Sequence, residues 1–371
     1  MDQQLQHALA LLEEASAWDW HMTQCIQDSG KQGGKHKTHL LTYLIMESFQ
    51  LGGTVLNQFW DQLGNCHQRL RGNIEIVKGV SFTSQTISLA IILEGLNREE
   101  IDFMPVLNMA GEYFTHLGIA ILNPGGPKSG AGTAFSVSEV IDKGTDELLR
   151  LFAAEESFGK RKQEYLKALL FKRDHSLCPV SALPFYPEDP DGYRPIMAHV
   201  IPTSIHGKVH ISDVLNYLLP HASYSARYSE MYCYQWYESS ERCSLESGGM
   251  TIWIGHWAIE ARDEAGRVKY IYRRVPFSSV PGPKPVQLKD GDEIIFGAGP
   301  DGTQLGGGPL PRLCNLHLAV ARVLKMSGAA DIILEWKDKA DDGGVPHLFI
   351  ASEHYCNILN AQLLLSGQAV L

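Results

Sequence analysis

Apolar residues recur every three or four positions through the first part of the chain, the spacing of helices that turn one face inward. MDQQLQHALALLEEASAWDW and HLLTYLIMESFQ show it, and LGGTVLNQFWDQLGNCHQRL resumes it after a break at Gly52 and Gly53. EEIDFMPVLNMAGEYFTHLGIAIL predicts a further helix that Pro105 begins or bends. SEVIDKGTDELLRLFAAEESFGKRKQEYLKALLFKRD returns to the same period, and its basic end reads as a solvated helix face. Beyond Cys178 the texture changes to short apolar runs, aromatics, and Pro and Gly punctuation. MTIWIGHWAIEAR and RVKYIYRRVPF read as two strands joined by the turn DEAG, and a short strand is expected in DGDEIIFGAG. PLPRLCNLHLAVARVLKMSGAADIILEW predicts a helix stopped at Gly328, and ASEHYCNILNAQLLLSG a last short one.

This order predicts an α+β protein. The expected organisation is a helical domain over residues 1–160, an α+β domain over 161–340, and a C-terminal segment, 341–371, that packs back on the core. Hydrophobic residues make up 44% and charged residues 20%, ordinary values for a soluble globular chain. There is no run of eighteen apolar residues, and the N-terminal stretch carries acids where a signal peptide needs bases. A cytoplasmic protein without a membrane span is therefore expected, with the nucleus left open. The formal net charge of −10 counts against nucleic acid as a partner, because phosphate binding draws on Lys and Arg. The seven cysteines are scattered, with no CxxC pair, which argues for free thiols rather than disulfides or a four-cysteine zinc site.

Two glycine-rich stretches fail the tests for nucleotide binding. In NPGGPKSGAGTAFS, residues 123–136, Lys128 precedes Ser129 and Gly130, the wrong order for a phosphate-cradling loop. GAGPDG, residues 297–302, lacks the glycine spacing of a dinucleotide fingerprint. The aspartate-rich motif of a magnesium-dependent terpene cyclase is absent too, since DKADD at 338–342 has the wrong order. No cofactor is expected.

Three segments, in this order, resemble the HNH-nuclease-domain proteins abundant in fungi. They are KRDHSLCPVSA from Lys172 to Ala182, MAHVIPTSI from Met197 to Ile205, and GPLPRLCNLHLAVARVLKMSGAA from Gly308 to Ala330. The resemblance implies an HNH-like ββα core in which His199 holds the position of the general base. In that chemistry an asparagine orients the base and a last histidine holds a divalent metal. The segment that should carry both, residues 238–261, departs from the pattern. No asparagine stands near Cys243, Leu245 or Ser247, and Gly249, Met250 or Thr251 falls where the histidine belongs. Glu241 or Glu246 offers a carboxylate there, but no spacing compels it. His206 and His210 are four apart, but Pro202 and Gly207 argue for a loop, where that spacing has no fixed geometry. The resemblance thus implies a degenerate HNH unit without a metal.

Nine of the chain's 34 aromatics lie between Tyr217 and Trp257, inside the stretch where the nuclease signature breaks down. If SARYSEMYCYQWY is helical, Tyr224, Tyr228 and Tyr232 form one stripe. Such a stripe packs a core or lines a pocket for an apolar ligand. The sequence therefore leaves three functions open. The first is a cofactor-independent enzyme of a fungal natural-product pathway that cyclises or isomerises an apolar small molecule, for instance by a Diels–Alder step. Its catalytic candidates are His199, Arg227, Tyr228 and Tyr232, and its binding candidates Tyr224, Tyr234, Trp236, Trp253, His256 and Trp257. The second is a divergent metal-dependent nuclease that uses His199 as base. The third is a non-catalytic binding module.

Overall fold

A computed structural model describes residues 2–16, 33–83, 86–97, 100–114, 117, 142–155, 160–175, 178–180, 182, 195–199, 232–236, 257–275, 288–306 and 308–330. The fold is α+β: helices in the first half, then short antiparallel strands and a long closing helix. The expected loop at 123–136 and the last helix lie outside the described residues.

Helix α1, Gln3–Ser16, starts at Asp2, whose carboxylate accepts the amides of Gln4 (2.8 Å) and Leu5 (3.2 Å) and so satisfies two orphan donors. It buries Leu5, Ala8, Leu11 and Leu12, the inward stripe of the sequence pattern. It also buries His7 completely. The Nε2–H of His7 donates to the Val80 carbonyl (2.8 Å), which can only accept, so Nδ1 is left to accept from the Ser88 hydroxyl (2.9 Å). Helix α2, Gly33–Gln50, packs on α1 with Leu40, Leu41, Leu44 and Ile45 and ends at Gly52. Helix α3, Val55–Asn65, buries Val55, Phe59, Trp60 and Leu63. The run read as one pattern then breaks at Cys66, and α4, Leu70–Gly79, follows as a separate helix. Helices α5, Ser88–Ile92, and α6, Met104–Tyr113, complete this layer, with Pro105 in the first turn of α6, where a missing N–H does no harm.

Helices α7, Thr145–Ala154, and α8, Lys160–Asp174, pack on each other. The sequence reads the basic run of α8 as a solvated face; Arg161 is exposed and Lys167 and Lys172 are half-buried, but the end of the helix turns inward. Leu166, Ala168, Leu169, Leu170 and Phe171 are all buried, and so are Arg173 and Asp174.

Strands β1, Pro195–His199, and β2, Tyr232–Trp236, form an antiparallel ribbon. A helical tyrosine stripe is thereby excluded over Tyr232–Trp236, which is strand. Strands β3, Trp257–Glu264, β4, Arg267–Arg274, and the two-residue β5, Glu293–Ile294, make an antiparallel sheet in that order. The β3–β4 hairpin pairs Trp257 with Arg274 and Glu264 with Arg267, turning at Ala265 and Gly266 as DEAG predicts. Both turn residues have positive φ (56° and 82°), the two-residue geometry that matches strand twist.

After the four-residue α9, Gly302–Leu305, helix α10, Pro311–Met326, closes the fold. It is buried on nearly every side, because it lies between β3 and α2 and each takes a face. Asn315 fixes it to the sheet. Its carboxamide accepts the Ala261 N–H (2.8 Å) and donates to the Ala261 carbonyl (3.0 Å), as a neighbouring strand would. One hydrophobic cluster runs from Leu5 to Ala330 through both halves of the chain. Among the described residues no helix is long and apolar enough to cross a membrane.

Candidate functional site

The β1–β2 ribbon brings together residues that are far apart in sequence. Its register sets His199 opposite Tyr232, Met197 opposite Tyr234, and Pro195 opposite Trp236. A strand alternates faces with a period of two, so these six residues belong to one face of the ribbon. Ile196, Ala198, Cys233 and Gln235 belong to the other. Residues directly opposite in an antiparallel pair stand about 5 Å apart at Cα. An imidazole-bearing residue and a phenol-bearing residue are thus in register at one end of a face that carries two more aromatic residues. Imidazole and phenol can each donate or accept a hydrogen bond at neutral pH, while the ring residues offer apolar surface.

Of the other residues singled out in the sequence, Tyr224, Arg227, Tyr228, Trp253 and His256 lie outside the described residues, as do His206 and His210. Trp257 is placed in the core, 6% exposed, with its ring stacked on Tyr272 at a centroid distance of 5.8 Å. Among the described residues, no group of three or more His, Cys, Asp or Glu side chains comes together as a metal site. The side chain of His199 is not among them.

The sequence reading passes over a second cluster, at the end of α8. Arg173 and Asp174 form a buried ion pair with side chains 4% and 1% exposed, joined by Nε–Oδ1 (2.9 Å) and Nη2–Oδ2 (2.5 Å) bonds. Asp174 also accepts the Gly297 amide (2.8 Å), and the Arg173 carbonyl accepts the Gly299 amide (2.7 Å). The Arg173 guanidinium lies 5.3 Å from the centre of the Phe296 ring. GAGPDG, rejected as a dinucleotide loop, is therefore a docking loop. A Cβ at Gly299 would run into the Lys172 and Arg173 carbonyl oxygens, so only glycine allows this approach. Asp301 accepts a 2.7 Å bond from the Thr145 hydroxyl and ties the same loop to α7. Burial lowers the pKa of the neighbouring Lys167 ammonium, against a smaller opposing pull from Glu164.

No family model matches the chain, and no curated protein or solved structure matches it.

Proposed function

We propose that the chain is a metal-independent enzyme acting on an apolar small molecule. In this reading it has an HNH-like scaffold whose nuclease centre has been lost, and it serves a fungal natural-product pathway. The reaction is a cyclisation, an isomerisation or a pericyclic step of the Diels–Alder type. The ribbon register carries the reading: His199 and Tyr232 stand opposite one another, at the end of a face shared with Tyr234 and Trp236. Such a reaction needs no nucleophile. Aromatic surface that holds the substrate in a reactive shape supplies much of the acceleration, and one hydrogen-bond donor polarises a carbonyl. His199 or Tyr232 is that donor.

A divergent nuclease is the second reading, since an antiparallel ribbon with a histidine at the end of its first strand suits that chemistry as well. It also needs a cationic surface, and the basic helix α8, which could supply one, uses Arg173 inside the fold and half-buries Lys167.

The test is elemental analysis of protein purified without chelator, alongside His199→Ala, with supercoiled plasmid incubated with each in magnesium and in manganese. A metal-free, folded protein that leaves the plasmid intact is expected. Near-stoichiometric transition metal that is lost in His199→Ala, or plasmid cleavage lost in that variant, overturns the proposal in favour of the nuclease.

A further inference from the structure

Among the described residues, large apolar side chains left exposed are few, and three of them gather around one opening. Val268 is 37% exposed, Ile295 52% and Leu310 36%, and all three line a cavity of 650 Å³ between the β4–β5 edge and the glycine-rich segment that leads into α10. Collected on one concave surface, they offer a seat for the apolar part of a ligand, beside polar groups on the same lining. The volume falls within the range of small-molecule pockets, roughly 300–1,000 Å³.

The walls are held in advance. Asp174 and the Arg173 carbonyl fix one side of the rim through Gly297 and Gly299. The Tyr270 hydroxyl donates to the Pro309 carbonyl (2.6 Å) and fixes the other. Burial, the larger effect, pushes the Tyr270 phenol up to about 12, so it remains a donor across the neutral range. A Cβ at Gly308 would stand 2.6 Å from Cε2 of Tyr270, so the tight contact between rim and floor requires glycine there. A pocket held in this way loses little to ordering when it binds.

One cation stands at the mouth. The Arg267 side chain is 78% exposed and contacts Glu293 loosely, at 3.6 Å. Glu293 is shared, lying 3.7 Å from Lys269, which itself faces Glu264 at 3.7 Å. Arg267 therefore has N–H donors to turn toward a ligand, and Lys269 shares the Glu293 carboxylate that would otherwise oppose an anionic group there. We propose that this cavity binds an amphipathic small molecule: an apolar body seated on Val268, Ile295 and Leu310, with a single anionic group at Arg267. The site goes beyond the ribbon reading and does not rest on it.

The probe that fits this description is anilinonaphthalene sulfonate, an apolar ring system with one anionic group, titrated by fluorescence beside its uncharged relative phenylnaphthylamine. One sulfonate probe per chain is expected, bound more tightly than the uncharged one. Ile295→Asp is expected to weaken it by about tenfold or more, and Arg267→Gln to remove most of the preference for the charged probe. Ile87→Asp, at an apolar residue 62% exposed and not on this lining, is the control and is expected to bind as wild type. Circular dichroism confirms that each variant is folded. Absence of saturable binding to the folded wild type, or binding unchanged by Ile295→Asp, overturns the site. Equal affinity for the two probes, unchanged by Arg267→Gln, overturns the anionic part of the proposal.

Discussion

His317 on α10 is expected to make the protein sensitive to mild acid. It is buried among apolar residues, and its Nε2 has no hydrogen-bond partner among the described residues. Desolvation alone lowers its pKa from 6.5 to about 4, because an imidazolium there would give up its hydration with nothing in return. The native state therefore binds the proton more weakly than the unfolded chain does. Stability from the neutral imidazole is fully present above the unfolded pKa and drains away as pH falls from about 6.5 toward 4. Integrating the linkage between those two values, the loss between about pH 7 and about pH 4.5 is on the order of 2 kcal/mol. His317→Leu removes the titration and fills the same space with carbon. The assay is urea unfolding of both proteins at the two pH values. Acid effects that arise elsewhere, such as the raised pKa of Glu14 and Glu47 caused by burial, are common to both and cancel. The variant is expected to lose less than wild type, by on the order of 2 kcal/mol. Near neutral pH it should match or exceed wild type, since an unsatisfied buried nitrogen has gone. If both proteins lose the same stability within about 0.5 kcal/mol, His317 is either solvated or bonded, and the reasoning fails.

Three further outcomes follow from the core. Asp174→Ala strands the buried Arg173 guanidinium and the Gly297 amide, and chemical denaturation should show a loss of about 3 kcal/mol or more; Arg173→Met with Asp174→Leu should recover much of it. Asn315→Ala removes both bonds to Ala261 and should cost about 2 kcal/mol in the same assay, while Asn315→Asp, which keeps an acceptor but loses the donor, should do no better. Burial, the main effect, pushes the Cys66 thiol up to about 12, so peptide mapping after iodoacetamide treatment near pH 8 should find Cys66 unmodified until denaturant is added.

Where local pattern and tertiary environment agree, the fold can be read from the sequence. RVKYIYRR carries a short apolar, aromatic run bounded by basic residues, DEAG turns, and the β3–β4 hairpin follows. PLPRLCNLHLAVARVLKM has helical period and a glycine stop, and α10 runs to Met326 before Gly328 at φ 76°. The ribbon was harder because its tyrosines obey two periods at once. Tyr224, Tyr228 and Tyr232 are spaced for a helix, while Tyr232, Tyr234 and Trp236 are spaced for a strand. The decision belongs to Pro195–His199, a partner that no local window contains. The docking loop was hidden for the same reason. Gly297 meets Asp174 across 123 positions, and until that contact is known a run of glycines suggests only a turn or a nucleotide.

The fate of the charges bears on both functional readings. KRD at the end of α8 looks like surface because its residues are ionic, yet Arg173 and Asp174 neutralise one another as neighbours and can enter the core together. On the sheet, Arg262 and Arg273 share Glu260, and Arg273 also reaches Asp290. Burial alone would raise the Glu260 carboxyl, but its bonds from Arg262 and Arg273 outweigh that and hold it below its ordinary value. Arg322 faces Glu47 between α10 and α2. A polyanion gains affinity by displacing counterions from cations that have no better partner. Cations already matched to carboxylates offer little of that gain, and freeing one leaves a carboxylate to repel the phosphate. Within a chain of net charge −10, these matched cations offer little to a polyanion, whereas Arg267, 78% exposed beside Glu293 at the mouth of the cavity, keeps N–H donors for a single anionic group.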